Sequence, residues 1–387
     1  MKQSIKNLTS GLLILTTLQT NAQYLITKPS FLNYEIESSL KMRITNSLDS
    51  LFATINRGKT DTNLVDKSNY LLNLSIINSL RDYENSDSIK DFYKKQLINL
   101  YPISSNDYFI SIAYIGNKQN EIPVLKLIIN LIAKKENEKI IFSIPLKYLT
   151  ANWKTQTIGN ITYYFQGKLN LEVANKFNSK NTTIASKLSI SPEKFNFYMC
   201  ENYQEVLKLL GYEYDLESNG KYKDGYGVDA NTIFSIMNSE DFSHDIFHYY
   251  SAKIRGEAKR NHTVEEGIAY SWGNAYYTKE NGGMIEQKEL VQQLKSYLKK
   301  NPKISLLELF NKDTKIFTRL PIEVSVKSTI SSLLCDEVER KKGIEGIRKL
   351  ISCGKGDDNF LKTLNELIFI NNINFDKEVT KLIEQYK

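Results

Sequence analysis

Ser239-Glu-Asp-Phe-Ser-His-Asp-Ile-Phe-His-Tyr-Tyr-Ser-Ala-Lys253, followed by Val264-Glu-Glu-Gly-Ile-Ala-Tyr270, is the stretch on which the reading of this chain turns. With His262 between the two segments, it gathers all three histidines of a 387-residue sequence into a window of 19 residues. Ser239-Glu-Asp241 is suited to start a helix, with a hydroxyl to cap free amides and acids in the first turn. Gly256 marks a stop just beyond Lys253. On such a helix His244 and His248, four residues apart, project from one face. Two imidazoles in that arrangement can bind one zinc ion without distorting the backbone. Glu266, eighteen residues after His248, opens a second helix that can return alongside the first and offer a carboxylate as the third ligand. Gly267 beside it removes a side chain where the two helices approach. A set of three leaves one zinc position open, as catalysis requires.

Plainer readings stand beside this one. The two histidines also fit an ordinary amphipathic helix. Thr263-Val-Glu-Glu266 fits a capping box, in which Glu266 bonds back to its own helix start and needs no metal. Glu265 and His262 are alternative ligands, although His262 falls just before the second helix. Tyr249, Tyr250, Tyr270, Tyr276 and Tyr277 lie nearby. In a chain with 24 tyrosines most of these pack as half-apolar side chains, and none is singled out to stabilise an oxyanion.

The pattern His-x-x-x-His followed by Glu-Gly-x-Ala-Tyr resembles the gluzincin metallopeptidases, particularly exported peptidase MA-like proteins. The similarity extends to Phe197-Tyr-Met-Cys-Glu-Asn-Tyr-Gln-Glu205, to Asp229-Ala-Asn-Thr-Ile-Phe-Ser235, which is similar to their edge strand, and to Gly343-Ile-Glu-Gly-Ile-Arg-Lys-Leu-Ile351. In all it covers about residues 151–387. The resemblance implies a thermolysin-like gluzincin domain holding one Zn2+ per chain on His244, His248 and Glu266. It also implies hydrolysis of peptide bonds, with a peptide substrate added along the strand at 228–235. The family pattern is His-Glu-x-x-His, whereas this chain has His244-Asp-Ile-Phe-His248. Asp245 therefore occupies the place of the general base with a side chain one methylene shorter. That displaces its oxygens by roughly an ångström, an error that can cost about a hundredfold in rate. Two functions follow: an exported zinc metallopeptidase of weak activity, or a catalytically inactive, zinc-stabilised module that binds peptide or protein. A metal-free structural protein survives through the capping-box reading.

Outward from this centre the chain reads as α+β in three domains. Residues 23–150 form an N-terminal mixed unit, with helical spacing over 40–57, 66–80 and 86–99. Strands follow at 108–115, 124–133 and 140–146, the last two separated by a turn at 136–139. In element order this unit looks like a cone-shaped cystatin-like or nuclear-transport-factor-like domain. Residues 151–285 form the gluzincin-like domain, with strands at 157–165, 195–200 and 228–235, helices at 169–188 and 203–210, and a polar Gly-rich loop at 218–227. Residues 286–387 read almost wholly as helix, over 285–300, 304–311, 322–340, 344–353, 358–370 and 376–386. Residues 1–22 have a positive start, an apolar run and small residues before Gln23, as a signal peptide does; export to the periplasm or medium is the expectation. Removing them with their two lysines takes the formal charge from +7 to +5. That surplus is spread as isolated lysines, which argues against nucleic acid as a partner. No later stretch is apolar for long enough to span a membrane. Cys200, Cys335 and Cys353 form no Cys-x-x-Cys pair. Cys335 could join Cys353 in an exported chain, or all three could be small buried side chains.

Overall fold

The computed structural model describes residues 26–27, 35–58, 63–86, 89–117, 122–218, 228–256, 258–277, 284–317, 320 and 324–386. The expected signal peptide and all but the first residue of the Gly-rich loop lie outside the described residues. The chain is α+β with a helical C-terminal region.

The first unit comprises β1 (Ile26–Thr27), α1 (Ser38–Asn56), α2 (Tyr70–Ser79), β2 (Tyr93–Pro102), β3 (Asp107–Gly116), β4 (Val124–Glu136), β5 (Lys139–Ser143) and the short α3 (Leu146–Leu149). Its sheet runs β1-β2-β3-β4-β5, antiparallel except for the β1–β2 pair. Ile44, Leu48, Leu51, Phe52 and Ile55 give α1 one apolar face, which is buried in the core of this unit. The helix expected over 86–99 is instead the strand β2. Lys95 and Leu97 point inward at strand spacing, and the register then shifts between Leu97 and Asn99, so that Leu100 points inward as well. The bulge breaks the alternation that marks a strand and leaves spacings of two and three that imitate a helix.

The second unit contains β6 (Lys154–Ile158), β7 (Ile161–Phe165), α4 (Leu171–Lys187), β8 (Phe195–Met199), α5 (Tyr203–Leu209), β9 (Tyr212–Asp215), β10 (Val228–Asp229) and β11 (Thr232–Ser235). It continues with α6 (Ser243–Arg255), α7 (His262–Trp272), β12 (Tyr276–Tyr277) and β13 (Met284–Ile285). The strand expected over 157–165 is a hairpin of β6 and β7, and the one over 228–235 is a hairpin of β10 and β11. Ala230 and Asn231 turn the second hairpin, both with positive φ. The five-stranded sheet has the order β10-β11-β8-β7-β6, with β8 parallel to both neighbours.

Both faces of this sheet are covered. Phe195, Phe197, Met199 and Ile233 enter the core shared with α4, α6 and α7, whereas Tyr198, Cys200 and Phe234 enter the core of the first unit. β9, which lies beyond the boundary expected at 150, pairs with β4 and completes the first sheet. The sheet thus separates the first unit from the histidine helix.

The C-terminal helices are α8 (Gln287–Lys300), α9 (Leu306–Lys312), α10 (Val326–Ile351), α11 (Asp357–Ile368) and α12 (Phe375–Gln385). α10 bends at Gly343, where the two expected helices meet. Its first half packs along α7 through small side chains such as Ser328, Ser331 and Ser332, all buried. The cysteines are free thiols, with Cys200 and Cys335 buried and Cys353 half-buried. Among the described residues no helix is long and apolar enough to cross a membrane.

Candidate metal centre

α6 starts at Ser243, two residues beyond Asp241. The Asp241 carboxylate accepts from the Ser243 amide at 2.8 Å and so satisfies a free donor of the first turn. The helix ends at Arg255 before Gly256. α7 is capped by Asn261, whose side chain accepts from the Val264 amide at 3.2 Å. The capping box expected at Thr263 and Glu266 does not form. Thr263 instead donates to Asp357 at 2.5 Å, and Glu266 turns towards the imidazoles.

Two glycines set the helix approach, and one of them is not where the sequence suggested. Gly267 faces α10 rather than α6: a Cβ there would lie 2.8 Å from the Ser331 Cβ. Gly273 is the residue that admits α6, since a Cβ on it would come within 2.6 Å of the Ser243 carbonyl oxygen. This contact brings the buried Asn274 under the first turn of α6, where its side-chain amide donates to Asp241 at 3.0 Å.

The imidazoles are fixed from behind. His244 Nδ1 lies 2.8 Å from the Asn274 carbonyl oxygen, which can only accept, so Nδ1 carries a proton and Nε2 is the nitrogen turned towards His248 and Glu266. His248 Nδ1 lies 3.3 Å from Glu265 Oε2, with the same consequence for its ring once Nε2 is deprotonated. The two Nε2 atoms face each other at 3.2 Å. Glu266 Oε2 is 3.3 Å from His244 Nε2, and its Oε1 is 3.3 Å from His248 Nε2. One ligand atom from each of His244, His248 and Glu266 falls within a sphere of mutual distances below 4.8 Å, a group that could hold a metal ion. The three side chains are 15–17 % exposed, which leaves a path to solvent.

The donor chemistry fits a borderline divalent metal. Two neutral imidazole nitrogens and one carboxylate oxygen are a zinc-type set, and fastening each remaining ring N–H to an acceptor is how such sites are oriented. Without an ion the same contacts act on protons. Burial alone would lower the His248 pKa, but hydrogen bonds to Glu265 and Glu266 raise it to about 9. Burial would raise that of Glu266, and the two imidazoles override it, holding the carboxyl far below its usual range.

Consecutive glutamates take opposite sides of one ring. Glu265 is 1 % exposed, sits behind His248, accepts from Ser251 at 2.8 Å and pairs with Arg255. It braces His248 and lies outside the group that could hold a metal ion. His262 is the first residue of α7; it is exposed and only 3.6 Å from Glu266 Oε1, outside the ligand group. Asp245 is half-buried in the first turn of α6. Burial raises its pKa, while the charges of His244 and His248 pull the other way.

Three of the nearby tyrosines are committed elsewhere. Tyr270 is buried and accepts from the Ser325 amide at 3.4 Å, and Tyr250 donates to Asn181 at 2.8 Å. Tyr249 donates to Asn231 at 2.6 Å. Tyr276 is half-buried against the core, and the Tyr277 side chain lies outside the described residues. Sequence reasoning missed Asn274, Arg255 and Arg260 as parts of the centre. The first acts through a backbone carbonyl, which leaves no trace in residue type, and the arginines read as ordinary surface charge. No family model, no curated protein and no solved structure matches the chain.

Proposed function

We propose that this chain is an exported zinc-dependent peptidase of gluzincin type, in which His244, His248 and Glu266 hold one Zn2+ and Asp245 is the general base. The observation that carries the proposal is the convergence of two imidazole Nε2 atoms and one carboxylate, each ring fastened at Nδ1 by an acceptor. A mixed sheet backing the histidine helix, with a helical region packed on the glutamate helix, supports a thermolysin-like arrangement. When bound, zinc supplies Lewis acidity that polarises a scissile carbonyl and acidifies water. Asp245 stands one residue from His244, on the same first turn, and its carboxylate takes the proton of the attacking water and passes it to the leaving amine. A peptide that adds to the sheet pairs with β10, because β10 covers β11 on that side.

The shorter side chain of Asp245 favours a second reading, a metal-stabilised binding module without turnover. Cleavage of an unfolded protein substrate, with and without chelator, separates the two. For a peptidase, Asp245→Asn abolishes chelator-sensitive cleavage while metal stays bound. For an inactive module, wild type shows no such cleavage, and Asp245→Glu gains some by bringing the base back within hydrogen-bond reach. Wild-type cleavage that survives Asp245→Asn would refute the assigned base.

A further inference from the structure

Arg260 lies between α6 and α7, and its guanidinium enters the centre from the solvent side. Nε is 3.0 Å from Glu265 Oε2, and Nη2 is 3.0 Å from Glu266 Oε1. Nη2 is also 3.3 Å from His248 Nδ1. One planar group therefore touches the carboxylate behind His248 and the carboxylate in front of it.

We propose that Arg260 is a positioning residue that locks Glu265 and Glu266 together and so fixes two of the three metal ligands at once. The inference rests on the metal reading above. Adjacent helical side chains diverge by about 100°, so the helix does not by itself hold these two carboxylates in a fixed relation. A rigid fork of donors that never loses its charge does so. It holds Glu266 at Oε1, the oxygen beside His248 Nε2, and so fixes the carboxylate with Oε2 towards His244 Nε2. By engaging Glu265 Oε2 it steadies the carboxylate that stands 3.3 Å behind His248 Nδ1.

Two rival accounts make different predictions. If Arg260 is only a solvated ion pair, which its 44 % exposed side chain would allow, its loss leaves metal affinity unchanged. If its positive charge chiefly repels an incoming cation, its loss tightens metal binding. Against the second, Arg255 is paired with Glu265 and Arg260 with both Glu265 and Glu266, so the two guanidinium charges are balanced once the ligand carboxylate of Glu266 is counted.

The test is zinc affinity of the full-length chain, measured by competition with a chromophoric chelator. Thermal midpoints of the metal-free and zinc-loaded forms are taken in parallel. Arg260→Ala is expected to weaken zinc by about ten- to a hundredfold, the range found for outer-shell partners of metal ligands. Arg260→Lys recovers only part of that, because a single ammonium does not span two carboxylates. Arg255→Ala, which removes a contact to Glu265 alone, has the smaller effect. The zinc-induced rise in thermal midpoint shrinks in the same order. Zinc affinity equal to or tighter than wild type in a folded Arg260→Ala chain overturns the proposal and leaves the metal site standing. If Arg260→Ala does not fold, full affinity in Arg260→Lys overturns it instead. Failure of wild type to bind zinc refutes the metal reading itself, and the role of Arg260 falls with it.

Discussion

Two clusters of buried charge sit on opposite sides of the five-stranded sheet, and they are built differently. In the first unit Lys95 and Glu84 form an ion pair with side chains 4 % and 8 % exposed, beneath the rings of Phe52 and Tyr114. Glu84 also accepts from Asn56 at 3.0 Å, so the cluster is closed on itself. At the metal centre the hydrogen bonds are spent on the outer edges of the rings, and the Nε2 atoms and the Glu266 carboxylate converge on one point. Both clusters are packed inside the fold, the first fully buried and the second half-buried. What separates a structural pair from a ligand site is whether lone pairs are consumed or gathered.

Breaking the closed pair gives the largest effect on stability. Lys95→Ala leaves the Glu84 carboxylate buried without its cation, which costs about 3–5 kcal/mol. Chemical denaturation measures this, and zinc content per folded chain stays unchanged because the sheet lies between the two clusters. A loss below about 1 kcal/mol, or a fall in zinc content, would show that the pair is not the separate structural element described.

A smaller effect distinguishes the gathered cluster by its pH dependence. In the metal-free chain His248 has a folded pKa of about 9 against an ordinary value of 6.5, so the folded state prefers the protonated ring. That contribution is complete below pH 6.5 and is lost as pH rises through 9. Denaturant midpoints of chelator-treated protein are therefore expected to fall across this window, and the slope flattens in His248→Gln. Zinc displaces the same proton, so its apparent affinity rises across the same window. A chelated wild type with no slope between pH 6.5 and 9 would contradict the hydrogen bonds that His248 donates to Glu265 and Glu266.

The convergence of His244, His248 and Glu266 was legible in the sequence because helix geometry makes the i, i+4 pair of His244 and His248 a local property, and Glu266 stands in a motif with defined spacing. Their support was not legible. Glu265 and Glu266 are chemically identical, and only the orientation of α7 against α6 decides which faces Nε2 and which faces Nδ1. Gly267 was expected to admit α6 and instead admits α10, while Gly273 admits α6, since which helix a glycine admits depends on packing. In the first unit the bulge at Leu97–Asn99 hid β2, and β9 was missed because a four-residue strand has too short a pattern to declare itself.

The central claim is that one metal ion sits on His244, His248 and Glu266. Elemental analysis of the purified chain after mild dialysis tests it most directly, with His244→Ala, His248→Ala, Glu266→Gln and Glu265→Gln alongside. Wild type is expected to carry close to one zinc per chain, the first three variants to lose it almost completely, and Glu265→Gln to retain part of it. Equal zinc in all five proteins, or a greater loss in Glu265→Gln than in Glu266→Gln, would contradict the claim.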